Sequence, residues 1–155
     1  MEKFYSVIET QMTNGTAAYL PFIFTSEEQA YAHYHQVASA VYQSTIDYHS
    51  VYVIDSDGVL NRDKYCTVVD RREEKTDFYT LVEAQEANGV KAILPPEFRD
   101  NNADGMSLFF LKCSYAVIGT ADYEGVHLVR SDGTMVEGRV FDKRVEPQPE
   151  PNAEA

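Results

Sequence analysis

Residues 3–11, KFYSVIETQ, alternate apolar and polar side chains, and a second β-prone run ending in LPFIF follows Asn14-Gly15. A period of two puts neighbouring side chains on opposite faces of a strand. Asn-Gly between two such runs is a strong hairpin signal, because both central residues of a type I′ turn take positive φ. The segment therefore predicts a hairpin. Residues 78–98, FYTLVEAQEANGVKAILPPEF, carry the same pattern around Asn88-Gly89.

The likeness extends to identities. At an offset of 74 residues Phe4 meets Phe78, Tyr5 meets Tyr79, Glu9 meets Glu83, Gln11 meets Gln85, and Leu20-Pro21 meets Leu94-Pro95. One inserted residue later, Val51 and Ser56-Asp57-Gly58 meet Val126 and Ser131-Asp132-Gly133. Agreement at both ends of each unit points to an internal duplication.

Between those ends the period changes to that of a helix. In TSEEQAYAHYHQVASAVYQS, Thr25 or Ser26 is placed to cap and Glu27 and Glu28 favour the first turn; one apolar stripe is Ala30, Tyr34, Val37 and Val41, and a second is Tyr31, His35, Ala38 and Tyr42. The counterpart, GMSLFFLKCSYAVIG, is apolar nearly all round. A helix without a polar face needs cover on more than one side, so one side is expected on its own sheet and another on the other repeat or a second chain. After each helix the pattern reads strand, Ser-Asp-Gly turn, strand. The expected fold is α+β, two tandem ββαββ repeats, each an antiparallel sheet packed by one helix. Residues 1–70 form the first repeat, 71–77 a charged linker, 78–144 the second repeat and 145–155 a disordered, acidic, Pro-rich tail.

Charge adds direction to this picture. The net charge is −12, and nine acids against three bases give −6 over residues 1–70, whereas ten against seven give −3 over 78–144. Such a field disfavours direct nucleic-acid binding and anionic membranes, and suits solubility or a basic protein partner. No apolar run reaches the ~20 residues of a membrane span, and no N-terminal signal pattern is visible, so the expected location is the cytoplasm of a host cell, or a virion. Cys66 and Cys113 are not at equivalent positions and read as reduced, mostly buried thiols.

Candidate chemistry is sparse. Asp100, Asn102, Asp104 and Gly105 imitate the start of a calcium loop, but Leu111 stands where the bidentate Glu belongs, and the segment reads as a helix cap. His33 and His35 face apart on a helix, the wrong spacing for a metal pair. His49 is expected neutral and hydrogen-bonded; its counterpart is Glu124, so a shared polar contact explains both positions better than a catalytic histidine. Asp55 and Asp57 suggest an acid pair, yet Asp55 becomes Arg130 in the other copy, leaving turn chemistry as the common content. No nucleophile motif, phosphate loop or metal motif appears, and neither cofactor nor metal is expected.

The segment AHYHQVASAVYQSTIDYHSVYVIDSDG, with Tyr34, His35, Ala38, Ala40, His49, Ser50, Asp57 and Gly58, resembles a group of small single-unit proteins encoded in phages and prophages of Firmicutes. The resemblance covers about residues 4–70, and the second copy departs from it at Leu108, Phe109 and Glu124. It implies a phage or mobile-element origin and supplies no catalytic residues. The expected function is non-enzymatic protein binding, as a virion-associated or infection accessory component, with Glu27, Glu28, Tyr31, His35, Tyr42 and Asp63 as contacts. Self-association through helix faces is a further expectation. The alternatives are an inhibitor of host defence that imitates nucleic-acid charge, and a small-ligand sequestering protein using Tyr31, Tyr42 and Tyr48.

Overall fold

The computed structural model describes residues 2–144; the expected tail lies outside the described residues. Strands β1 (Tyr5–Thr13) and β2 (Thr16–Phe24) form the first hairpin, followed by α1 (Glu27–Gln43), β3 (Tyr48–Asp55) and β4 (Cys66–Asp70). The second half runs β5 (Tyr79–Ala87), β6 (Val90–Ile93), β7 (Glu97–Arg99), α2 (Asn102–Ile118), β8 (Tyr123–Arg130) and β9 (Met135–Asp142). The fold is α+β, with two helices and two antiparallel sheets. Their strand orders are β2-β1-β3-β4 and β6-β5-β8-β9, with β7 also on β5.

The turn chemistry is as the sequence demands. Asn14 and Gly15 take φ of 51° and 77°, and Asn88 and Gly89 take 53° and 79°. Ser26 caps α1 by accepting from Gln29 N, and Asn101 caps α2 by accepting from Asp104 N at 2.8 Å.

The second half departs from the expected ββαββ order. Where the first half has one edge strand, β2, the second has β6 and β7 separated by Leu94-Pro95-Pro96. A single proline, Pro21, is tolerated in β2 because that strand pairs only with β1. Two consecutive prolines remove two N–H donors and fix two φ angles, which interrupts the ladder.

The layers follow from side-chain parity. On β1 and β3, Tyr5, Val7, Val51 and Val53 meet Ala30, Tyr34, Val37 and Val41 of α1. On β5 and β8, Tyr79, Leu81, Val126 and Leu128 meet Leu108 and Phe109 of α2. The alternate residues of both sheets face each other: Ile8, Tyr52 and Ile54 pack with Val82 and Val129. A helix thus covers the outer face of each sheet, and the inner faces form a common core. That explains why β1, β3, β5 and β8 are buried on both sides.

The two halves are tied by equivalent contacts. Tyr48 OH donates to Ser131 O at 2.6 Å, and Tyr123 OH donates to Ser56 O at 2.6 Å. Phe4 meets the Tyr123 ring edge-on at 4.9 Å, and Phe78 meets Tyr48 at 4.8 Å. Arg72, bound to Asp70, lies over Tyr48 and Phe78; Arg144, bound to Asp142, lies over Phe4 and Tyr123. The segment following Asp70, expected as a plain charged linker, therefore begins with an anchored arginine, and Arg71 also caps the carbonyls of Val41 and Tyr42.

Candidate functional site

At the N-terminal end of α1, Tyr5, Tyr31, Val53, Asp55, Asn61 and Tyr65 surround a cavity of about 150 Å³. Tyr31 and Tyr65 stack with centroids 3.7 Å apart, and Tyr5 tilts towards Tyr31 at 6.5 Å. Glu27, one turn before Tyr31, stands beside both Tyr31 and Tyr5. Burial first, then hydrogen bonding to Tyr65 and Glu27, holds the Tyr31 phenol well above its ordinary value. Lys3 neutralises Asp55 and Asp57 at 3.6 and 3.1 Å. Glu27, Glu28 and Asp63 are exposed and have no ion-pair partner among the described residues. Asp63 belongs to the same 61–65 turn as Asn61 and Tyr65.

The structure thus gathers Glu27, Tyr31 and the turn bearing Asp63, and adds Tyr5, Asp55 and Tyr65, which the sequence reading passed over as contacts. It does not gather the rest. His35 is exposed one turn further along α1 against Tyr34, and Tyr42, 70% exposed, is eleven residues from Tyr31, about 16 Å along the axis. Tyr48 is buried between the sheets. Tyr31, Tyr42 and Tyr48 therefore line no common pocket. His33 turns away from His35 and packs on Phe22 at 4.5 Å.

The equivalent place in the second half has a different character. By helix start and strand register Asn102 stands for Glu27, Met106 for Tyr31, Arg130 for Asp55 and Glu137 for Tyr65, while Tyr79 keeps the place of Tyr5. The acid-and-tyrosine arrangement belongs to the first half. The one sequence signal of it was the Asp55-to-Arg130 exchange.

A second polar set lies beneath each helix. In the first half His49 Nε2 meets Glu9 Oε2 at 2.6 Å, and Gln11 Nε2 donates to the same oxygen at 2.9 Å. In the second half Gln85 Nε2 donates to Glu124 Oε1 at 3.1 Å, and Glu83 faces Glu124. The exchange of His49 for Glu124 is accommodated by a polar contact in both halves, as the sequence suggested. Burial, then the Glu124 carboxyl, pushes Glu83 up to about 8, well above the usual carboxylate range. Lys112 of α2 binds Glu97 at 3.0 Å and reaches Glu83 only at 4.0 Å. Glu83, Gln85, Lys112 and Glu124, with Leu94 and Tyr115, line a cavity of about 410 Å³.

The helices also differ on their outer faces. On α1 the outward positions include His35, Gln36, Ser39 and Gln43, all exposed. On α2 they are Phe110, Leu111, Ser114, Tyr115, Val117 and Ile118, and the large ones are 46–80% exposed. Arg139 lies over the Phe110 ring at 5.6 Å, and the rest of this apolar side has no cover among the described residues.

Burial also sets the thiols and one histidine. Both cysteines are free, and burial pushes the Cys66 thiol up to about 11. His127, on the inner face of β8, is held down to about 4 by burial. No described helix is long and apolar enough to cross a membrane. No family model, curated protein or solved structure matches the chain.

Proposed function

We propose that the chain is a duplicated ββαββ unit of phage type that works without catalysis, by binding a basic protein partner through the acidic, tyrosine-rich end of its first half. The observation that carries this reading is the convergence of Tyr5, Tyr31 and Tyr65 on one small cavity with Glu27 beside Tyr31, at a place where the second half has Asn102 for Glu27, Met106 for Tyr31 and Glu137 for Tyr65. An open cavity of about 150 Å³ suits one long basic side chain. The Tyr65 ring already carries Lys64 at 5.3 Å, so these rings accept a cation, and the Glu27 carboxylate, without an ion-pair partner among the described residues, adds charge beside Tyr31. Glu28 and Asp63 extend the negative rim and would speed encounter with a positive surface.

The duplication is supported by the matched turns, by the reciprocal Tyr48–Ser131 and Tyr123–Ser56 bonds, and by the matched Arg72 and Arg144. In this reading the second half retains the unit's frame while the first keeps the partner surface. The phage origin is supported by the sequence resemblance over residues 4–70.

The test is a titration of the full chain with a lysine- and arginine-rich peptide, followed through the ring resonances of Tyr5, Tyr31 and Tyr65. Saturable shifts that are lost on Glu27→Gln and Tyr31→Ala support the site. Unmoved ring resonances, or equal response to a glutamine-substituted control peptide, refute it.

A further inference from the structure

We propose that two copies of this chain pair through the outer faces of α2, antiparallel, about a two-fold axis at Ser114. The face reads the same in both directions. Three and four residues before Ser114 stand Leu111 and Phe110; three and four after it stand Val117 and Ile118. Laid antiparallel on a second copy with Ser114 at the axis, Phe110 meets Ile118 and Leu111 meets Val117, each contact made twice. Such self-complementarity is what an isologous interface requires.

The centre of the face is suited to close approach. Ser114 is small, and its hydroxyl donates to Phe110 O at 3.0 Å and Leu111 O at 2.9 Å within its own helix, so it needs no water. Helices meeting at a small residue can close to the short end of the usual interaxial range. Tyr115 flanks the stripe and carries its hydroxyl at the edge.

Area and charge select the same occupant. The exposed parts of Phe110, Leu111, Tyr115, Val117 and Ile118 leave a contiguous apolar area on the order of 500 Å² per copy, the size at which a patch is often functional, and its full burial on both copies makes a contact of about 1,000 Å², the lower bound of a specific interface. The fold does not require it, since α1 packs its sheet equally well with His35, Gln36, Ser39 and Gln43 at the corresponding positions. None of the six α2 residues is ionisable at neutral pH. Two chains of net charge −12 can therefore meet there without setting acid against acid, while their repulsion acts only from the rim.

The test uses the full chain in sedimentation equilibrium, together with Ser114→Cys and its equivalent on the other helix, Ser39→Cys. Both positions are exposed, so neither change disturbs packing, and far-ultraviolet circular dichroism checks this. The expected results are a dimer whose dissociation constant falls several-fold as salt screens the rim charges, and disulfide-linked dimers from Ser114→Cys at least tenfold faster than from Ser39→Cys under mild oxidation. Ser114→Glu, which sets two carboxylates on the axis, should return the protein to monomer, while Ser39→Glu should not. A monomer at concentrations up to about 100 μM would overturn the proposal, as would equal cross-linking of the two cysteine variants. Partner binding at the tyrosine cavity is expected to weaken with salt, so the two readings fail separately.

Discussion

The phenol of Tyr48 donates a 2.6 Å hydrogen bond to the backbone carbonyl of Ser131, eighty-three residues away, and Tyr123 returns the same bond to Ser56. Each tyrosine reaches from the inner face of one sheet to the Ser-Asp-Gly turn of the other half. The serine hydroxyls of those turns accept from Phe78 N and Phe4 N, which fixes the start of each first strand. The turn that ends one strand pair is thus held by both halves at once.

Removing either phenol strands a buried carbonyl. Tyr48→Phe and Tyr123→Phe should each destabilise the fold by about 1–3 kcal/mol, a fall in Tm of several degrees for a chain of this length. Thermal unfolding of both single variants checks this. A loss confined to one of them would show that the bonds are not equivalent in energy, whatever their geometry.

The Glu83–Glu124 contact predicts a pH dependence of definite sign. Glu83 is held up to about 8 in the folded chain, above its value when unfolded, so its contribution is fully present below the ordinary carboxylate range and is lost as pH rises towards and past neutrality. Denaturant unfolding of wild type against Glu83→Gln should show an extra downward slope with rising pH in wild type, approaching at most about 1.4 kcal/mol per pH unit. Parallel curves would contradict a retained proton.

His127 predicts the opposite slope in a more acid window. Its imidazole lies in the inter-sheet core beside Gly138, and its Nδ1 has no partner among the described residues. With its folded value near 4, its contribution is present above the ordinary histidine value and is lost as pH falls from about 6.5 towards 4. His127→Gln should flatten that acid limb whatever it does to stability at neutral pH. An unchanged limb would mean that the ring is hydrated in solution.

The local turns and caps were legible because they follow from single residues. Asn14-Gly15 and Asn88-Gly89 have few alternatives to a tight turn, and Ser26 needs only its own helix to act as a cap. What depends on register or on the second sheet was not legible. Glu83 and Glu124 become neighbours only because Gln85 pairs with Glu124 in the β5–β8 ladder. Ser56 and Ser131 read as turn residues, and nothing in their spacing shows that their carbonyls receive tyrosines from the other half. The outer side of α2 was read as meeting the other repeat or a second chain; the other repeat does not reach it, because the halves meet through the inner faces of their sheets. Glu86 joins Lys91 at 3.5 Å to Arg144 at 3.0 Å, a network that nothing in its sequence neighbourhood shows.

The most direct test of the proposed function compares two sets of charge reversals in capture from host or infected lysate, each at low and high salt. One set is Glu27→Lys, Glu28→Lys and Asp63→Lys at the tyrosine cavity; the other is Asp100→Lys and Glu137→Lys in the second half. The account predicts that a basic protein retained by wild type at low salt is lost with the first set, is kept with the second, and is released as salt screens the field. Capture that survives the first set and high salt would contradict it.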